Sequence, residues 1–208
     1  KGPAGPTGDR GPAGPAGSVG PAGVAGQVGI NALTLTSPAF VDGGIIPAKY
    51  AGSTAVSPPL QWRGAPAETK SFALVMVDLN FPWGQKVPVY GQMPPPGTVP
   101  GDVFAHWLVV NIPANISSLN EGASPKAMPT GTLEAKSNLA AFGLPGNQYG
   151  GPAPPPGMQA HQYRFTLYAL NTPTLPGLTT SSDYAAVTQA MAGKVLATAS
   201  LTGYFGQK

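Results

Sequence analysis

The 208-residue chain contains no cysteine. Disulfide staples, a cysteine nucleophile and a thiolate metal site are therefore excluded. Charge is scarce as well: 9% of the residues are Asp, Glu, Lys or Arg, against roughly a quarter in ordinary domains. The net charge of +3 is spread thinly. With no basic cluster, the electrostatic footprint of a nucleic-acid-binding protein is missing. No apolar run is long enough to cross a bilayer, so no transmembrane segment is expected. Ser57 and Ser124 precede prolines and sit in no Gly-x-Ser-x-Gly elbow,. No phosphate-cradling glycine loop leads into a helix. The sequence thus points to no catalytic residue, no cofactor and no metal, and the chain is not expected to be an enzyme.

Glycine and proline are abundant, at 29 and 26 residues. The chain begins "KGPAGPTGDRGPAGPAGSVGPAGVAGQVG". Gly2, Gly5, Gly8, Gly11, Gly14, Gly17, Gly20, Gly23, Gly26 and Gly29 fall at every third position. An unbroken Gly-X-Y phase is the pattern of a collagen-type triple helix, where only glycine fits beside the common axis. A flexible Gly/Pro linker has no reason to keep a period. Pro3, Pro6, Pro12, Pro15 and Pro21 occupy X and no proline occupies Y. The rope therefore does not rely on hydroxyproline, which suggests a bacterial or viral source. Lys1 occupies the Y position of a preceding triplet, as expected for the end of a longer stalk, or after removal of a leader. Three chains must meet to form such a helix, so residues 1–29 are read as a homotrimerising stalk and residues 30–208 as a separate domain.

The second segment is of single-domain size. "SFALVMVDL", "FAHWLVVNI", "QYRFTLYAL" and "ATASLTGYF" are rich in strand formers,. In the third, Tyr163, Phe165 and Leu167 alternate with Arg164, Thr166 and Tyr168. "NALTLTSPAF" alternates and breaks at Pro38. One helix is predicted in "SSDYAAVTQAMAGKVLA", capped by Ser182 or Asp183 and ended near Gly193. The composition predicts an all-β domain of two sheets with one or two short helices.

Four stretches together resemble the phosphatidylethanolamine-binding protein family, in particular its bacterial branch. They are "SPAFVDGGIIPAKY", "VSPPLQWRGAPAETKSFALVMVDLNFP", "HWLVVNIP" and "YGGPAPPPGMQAHQYRFTLYAL". The similarity covers Leu33 to Phe205. It implies a two-sheet β domain with a small pocket near one end that accepts phosphate-like or carboxylate groups. The family's Asp-Pro-Asp-x-Pro motif reads "DLNFP", so Asp78 and Pro82 match, while Leu79 and Asn80 replace a proline and an aspartate. The His-Trp pair is His106–Trp107. Gly-x-His-Arg-Tyr reads "QAHQY", matching His161 and Tyr163. Gly151, Pro152 and Pro154–Pro156 correspond to the proline-rich wall. The resemblance thus assigns an anion pocket to Asp78, Asn80, Pro82, His106, Gly151, Pro152, His161 and Tyr163. The chain's two histidines both fall on pocket positions. Alternatively, the pocket residues persist to support the fold.

The connection "WGQKVPVYGQMPPPGTVPGDVF", residues 83–104, is longer than usual for the bacterial branch. It is read as a pocket cover, as a contact between domains, or as a loop packed on its own domain. Together the stalk, the low charge and the altered pocket motif lead to the expectation of an extracellular, cell-surface or virion-surface fibre. A trimeric stalk would then assemble or display β-rich heads. The alternative is a trimeric adhesin or binding module that holds a phosphoryl or other anionic ligand in each head.

Overall fold

The computed structural model describes residues 1–2, 32–52, 54–81, 104–157 and 159–207. Of the triplet glycines only Gly2 is among them, so the triple-helix expectation lies outside the described residues, as do Pro82 and residues 83–103.

Strand order follows from where apolar side chains can be buried. β4 (Ser71–Asp78) is buried along its whole length. Its side chains alternate between two cores, which is why its sequence reads as a continuous apolar run. Phe72, Leu74 and Met76 enter one core, and Ala73, Val75 and Val77 the other. β4 lies inside a six-stranded sheet ordered β2-β9-β8-β4-β5-β7. Its members are β2 (Gly44–Ile45), β5 (Phe104–Pro113), β7 (Leu133–Ala135), β8 (His161–Leu170) and β9 (Val195–Phe205). All pairings are antiparallel except β2 with β9. A second sheet, ordered β1-β3-β6, is formed by β1 (Thr34–Thr36), β3 (Leu60–Arg63) and β6 (Ser118–Leu119).

The first core includes Leu35, Trp62 and Leu119 of the small sheet and Phe72, Trp107, Tyr163 and Phe165 of the large one. The second is more aliphatic and packs Val75, Leu108 and Val110 with Val187 and Met191 of the one α-helix among the described residues, α1 (Tyr184–Met191). Asp183 caps α1, its Oδ1 accepting from the Ala186 amide at 2.9 Å. Gly193 follows with φ +70°. In β8 the predicted alternation holds: positions 161, 163, 165 and 167 are buried and the residues between them half-buried. Two short 3-10 turns, Ala48–Tyr50 and Asn138–Phe142, complete the elements among the described residues. The all-β two-sheet expectation for the domain is met. No described helix is long and apolar enough to cross a membrane.

β5 is irregular in two places. Its pairing with β4 steps from Met76↔Trp107 to Val77↔Ala105, which leaves His106 as an extra residue. It also steps from Phe72↔Ile112 to Leu74↔Val109, where two residues of β5 oppose Ala73. One of them, Asn111, has φ 60°, a left-handed conformation that asparagine tolerates better than most side chains. Bulges bend a strand and re-aim side chains, and the first of these two shapes the site.

Candidate functional site

In a regular strand His106 and Trp107 would face opposite sides. At the bulge they do not. Trp107 packs in the first core while Ala105 and Leu108 pack in the second. His106 meets Tyr163 of that first core edge-on, with ring centroids 5.2 Å apart. Asn138 stabilises the interruption, its Oδ1 accepting from the Ala105 amide at 2.8 Å. The same residue opens the 3-10 turn that carries Leu139 and Phe142.

The His106 ring is strapped to the Gly150–Gly151 segment. Its Nδ1 donates to the Gly150 carbonyl at 3.0 Å, and the Gly150 amide returns a bond to the His106 carbonyl at 3.3 Å. Close approach explains both glycines. A Cβ on Gly150 would lie 1.8 Å from Leu139 Cδ1, and one on Gly151 would lie 2.6 Å from the Tyr50 carbonyl oxygen. Burial holds the His106 pKa below the ordinary histidine value, with the Asp78 carboxylate and the backbone carbonyls opposing it. A neutral ring that donates through Nδ1 keeps Nε2 as an acceptor.

Asp78 ends β4 opposite Tyr163 of β8. Its Oδ2 accepts from His161 Nδ1 at 2.8 Å, and its Oδ1 accepts from the Asn80 amide at 2.8 Å. Both partners of the Asp78–His161 pair are almost fully buried. The carboxylate fixes the ring and its tautomer, as carboxylate–histidine pairs do elsewhere. Burial first, and the Asp78 carboxylate second, push the Tyr163 phenol well up, so it remains protonated. Asn80 is a clamp, its Oδ1 accepting from the Gln162 amide at 2.7 Å while the Leu79 amide donates to the Gln162 carbonyl at 2.9 Å.

These groups line a cavity of about 420 Å³. Asp78, His106, His161 and Tyr163 form its polar part; Phe81, Phe104, Leu139, Phe142, Leu144, Ala153, Pro154 and Pro155 form the apolar part. Phe81 and Phe104 stack with centroids 4.0 Å apart, and Phe142 meets both edge-on. Four of the eight expected pocket residues are therefore brought together. Asn80 supports them from outside the lining. Gly151 lines an adjoining cavity with Gln148 and Gln207. The Pro152 carbonyl accepts from the Gly52 amide, and the wall belongs to Ala153, Pro154 and Pro155 instead. Among the described residues no group of three or more His, Cys, Asp or Glu is placed to hold a metal ion.

Sequence reasoning missed the aromatic wall and the Leu139–Leu144 side. No local sequence signal marks Phe142, which is 62% exposed on its 3-10 turn.

The profile of the phosphatidylethanolamine-binding protein family matches residues 36–206. A UPF0098 protein of Methanothermobacter thermautotrophicus is 33% identical over 83% of this chain and 98% of its own length. The UPF0098 protein YbcL of Escherichia coli K12 is 33% identical over 70% of this chain and 69% of its own. The crystal structure of E. coli YbcL, described as a new member of the mammalian PEBP family, superposes with a TM-score of 0.69 at 28% identity. That match covers 85% of this chain and 99% of YbcL. A homologue of the family from Chlamydia trachomatis superposes with a TM-score of 0.63 at 28% identity, covering 86% and 99%.

These relatives overturn the expectation of a fibre subunit. None of them is described as a fibre or virion component, and the similarity runs through the β domain. The physical reason lies in the fold. The described β domain builds both cores and the cavity from residues of one chain, the same domain over which the relatives align. On the sequence match, the superposition and the placement of Asp78, His106, His161 and Tyr163 around one cavity, the chain belongs to the phosphatidylethanolamine-binding protein family.

Proposed function

We propose that the β domain is a binding module, without turnover, that holds a phosphoryl or other small anionic group at the polar end of its cavity. The Asp78–His161 pair carries this reading: a carboxylate-anchored imidazole, buried beside His106 and Tyr163, at the end of an otherwise apolar cavity. Asp78 occupies His161 Nδ1, so the ring's other nitrogen is the one that meets a ligand. When that nitrogen is protonated the ring is a cation, and its hydrogen bond to an oxyanion is charge-assisted. The Tyr163 phenol hydrogen-bonds Asp78 and helps hold that carboxylate in place, and His106 Nε2 suits a ligand atom that carries a hydrogen. Pocket size supports a small ligand, since such sites span roughly 300–1,000 Å³.

The Gly-X-Y register of residues 1–29 supports a further part of the proposal. Three chains join through that segment and present three cavities together outside the cell, where avidity multiplies weak single-site affinities. Titration calorimetry of the full chain with inorganic phosphate and with O-phosphorylethanolamine tests the site. His161→Ala should weaken either ligand at least about tenfold, as expected for the loss of a charge-assisted hydrogen bond. Unchanged affinity would remove the basis of the reading.

A further inference from the structure

The polar end of the cavity explains how an acidic group is held; the apolar wall bears on what that group is attached to. Phe104 lies against His106, centroids 5.1 Å apart and planes at 62°. The aromatic surface thus begins one ring away from the polar end. Phe81 stacks on Phe104 with an interplanar angle of 18°, and Phe142 closes on both at centroid distances of 6.1 and 5.7 Å. Pro154 and Pro155 also line the cavity. An acidic group seated at His161 shares one cavity with these carbons, so its substituent has an aromatic surface to meet.

Charge narrows the choice further. No lysine or arginine lines the cavity among the described residues, and Asp78 is its one carboxylate. His161 is already paired with that carboxylate. Such a lining suits a ligand of low negative charge. An ammonium substituent would find phenylalanine faces, weaker cation partners than tryptophan, and, among the described residues, no carboxylate side chain besides Asp78. A flat ring, by contrast, extends the stacked and edge-on arrangement already present.

We propose that the cavity selects small aromatic acids, in which the acidic group is attached directly to a flat ring. The proposal rests on the anion-binding reading above and adds the chemical class of the ligand. Phe142 is its most informative residue. It sits on the 3-10 turn, 62% exposed, and covers neither core.

The test uses two matched pairs of probes on the full chain by calorimetry: benzoate against acetate, and phenyl phosphate against O-phosphorylethanolamine. The aromatic member should bind about tenfold tighter in each pair, the scale of one buried ring contact. Phe142→Ala should shrink both ratios several-fold, and Phe142→Trp should restore them. Equal affinities within the pairs would overturn the aromatic selectivity, as would tighter binding of O-phosphorylethanolamine or ratios that survive Phe142→Ala. Benzyl alcohol binding as tightly as benzoate would overturn the underlying anion reading. Failure of all the probes to bind would overturn both.

Discussion

At the upstream bulge of β5, His106 and Trp107 leave the strand on one face and the extra side chain goes to the cavity. At the downstream bulge, Asn111 takes a left-handed backbone conformation, and its Oδ1 accepts from the Leu175 amide at 2.8 Å. One insertion delivers a ring to a site. The other tethers a loop that closes the second core, where Leu175 is buried. Each bulge is tied to a distant connection, but in opposite senses: the Asn138 side chain accepts from the bulge backbone at Ala105, whereas the bulge side chain of Asn111 accepts from the loop backbone at Leu175. Register irregularity by itself is therefore no mark of function. What distinguishes the two sites is the surroundings of the extra residue, a cavity in one case and packed loop backbone in the other.

The sharpest contrast comes from backbone strain. Asn111→Val puts a β-branched residue at positive φ and strips the Leu175 amide of its acceptor, which should destabilise the domain by about 2–4 kcal/mol. Asn111→Gly keeps the conformation and loses only the hydrogen bond, at about 1 kcal/mol. Urea unfolding of the two variants checks this. Equal losses would mean that the tether alone, and not the left-handed backbone, makes the downstream bulge depend on asparagine.

His106→Phe addresses the other bulge. A phenylalanine keeps a ring against Phe104 and Tyr163 and deprives the Gly150 carbonyl of its donor, costing about 1 kcal/mol near neutral pH. Acid should separate the variants more clearly. Because burial holds the His106 pKa down, the native state takes up fewer protons than the unfolded chain below about pH 6.5. The wild-type domain thus loses stability as pH falls through that region, and the variant should lose less. Parallel pH profiles would contradict a buried neutral ring.

The smallest effect is expected beside it. Trp107 Nε1 donates to Glu134 Oε1 at 2.7 Å, and the Ser124 hydroxyl donates to the same oxygen. Burial raises the Glu134 pKa, the two hydrogen bonds opposing it. Here the native state holds more protons than the unfolded chain, so stability declines as pH rises from about 4.5 upward,. Glu134→Gln retains an acceptor for Trp107 and should flatten that decline, changing stability by less than about 1 kcal/mol at its midpoint. Residues of two paired strands, His106 on β5 and Glu134 on β7, would then contribute opposite pH slopes, and thermal melts at pH 5 and pH 8 would reveal both.

The long strands were legible because their residues obey one period. "SFALVMVDL" is apolar on both faces and lies between two cores; "QYRFTLYAL" alternates and is half-buried on one side. The helix showed through its cap, Asp183. Both bulges escaped notice, since "AHWLVVN" reads equally well as a regular strand, and the signal that interrupts it sits at Asn138 and in the loop holding Leu175. For the site, family motifs identified Asp78, His106, His161 and Tyr163. They also assigned Asn80 to the pocket; its carboxamide fastens the end of β4 to the start of β8 from outside the lining. The aromatic wall joins Phe81, Phe104 and Phe142 from three separate segments. No periodicity links them, so only the folded chain brings them together. The stalk reading rests on a periodicity that says nothing about the β domain, and the fibre function extrapolated from it failed where the domain had its own evidence.

The place of β9 in the large sheet has a consequence for synthesis. β9 is the last of the described strands, yet it lies inside the sheet, paired with β8 along ten register positions and with early β2 on its other side. A ribosome releases the chain from its N-terminal end, so β2 must wait for residues 203 and 204 before it has a partner. Until then the outer edge of β8 stays open, a row of unpaired amides and carbonyls able to recruit another strand. The final eleven-residue strand thus acts as a keystone: the nascent domain remains vulnerable to association with its neighbours until that segment leaves the exit tunnel.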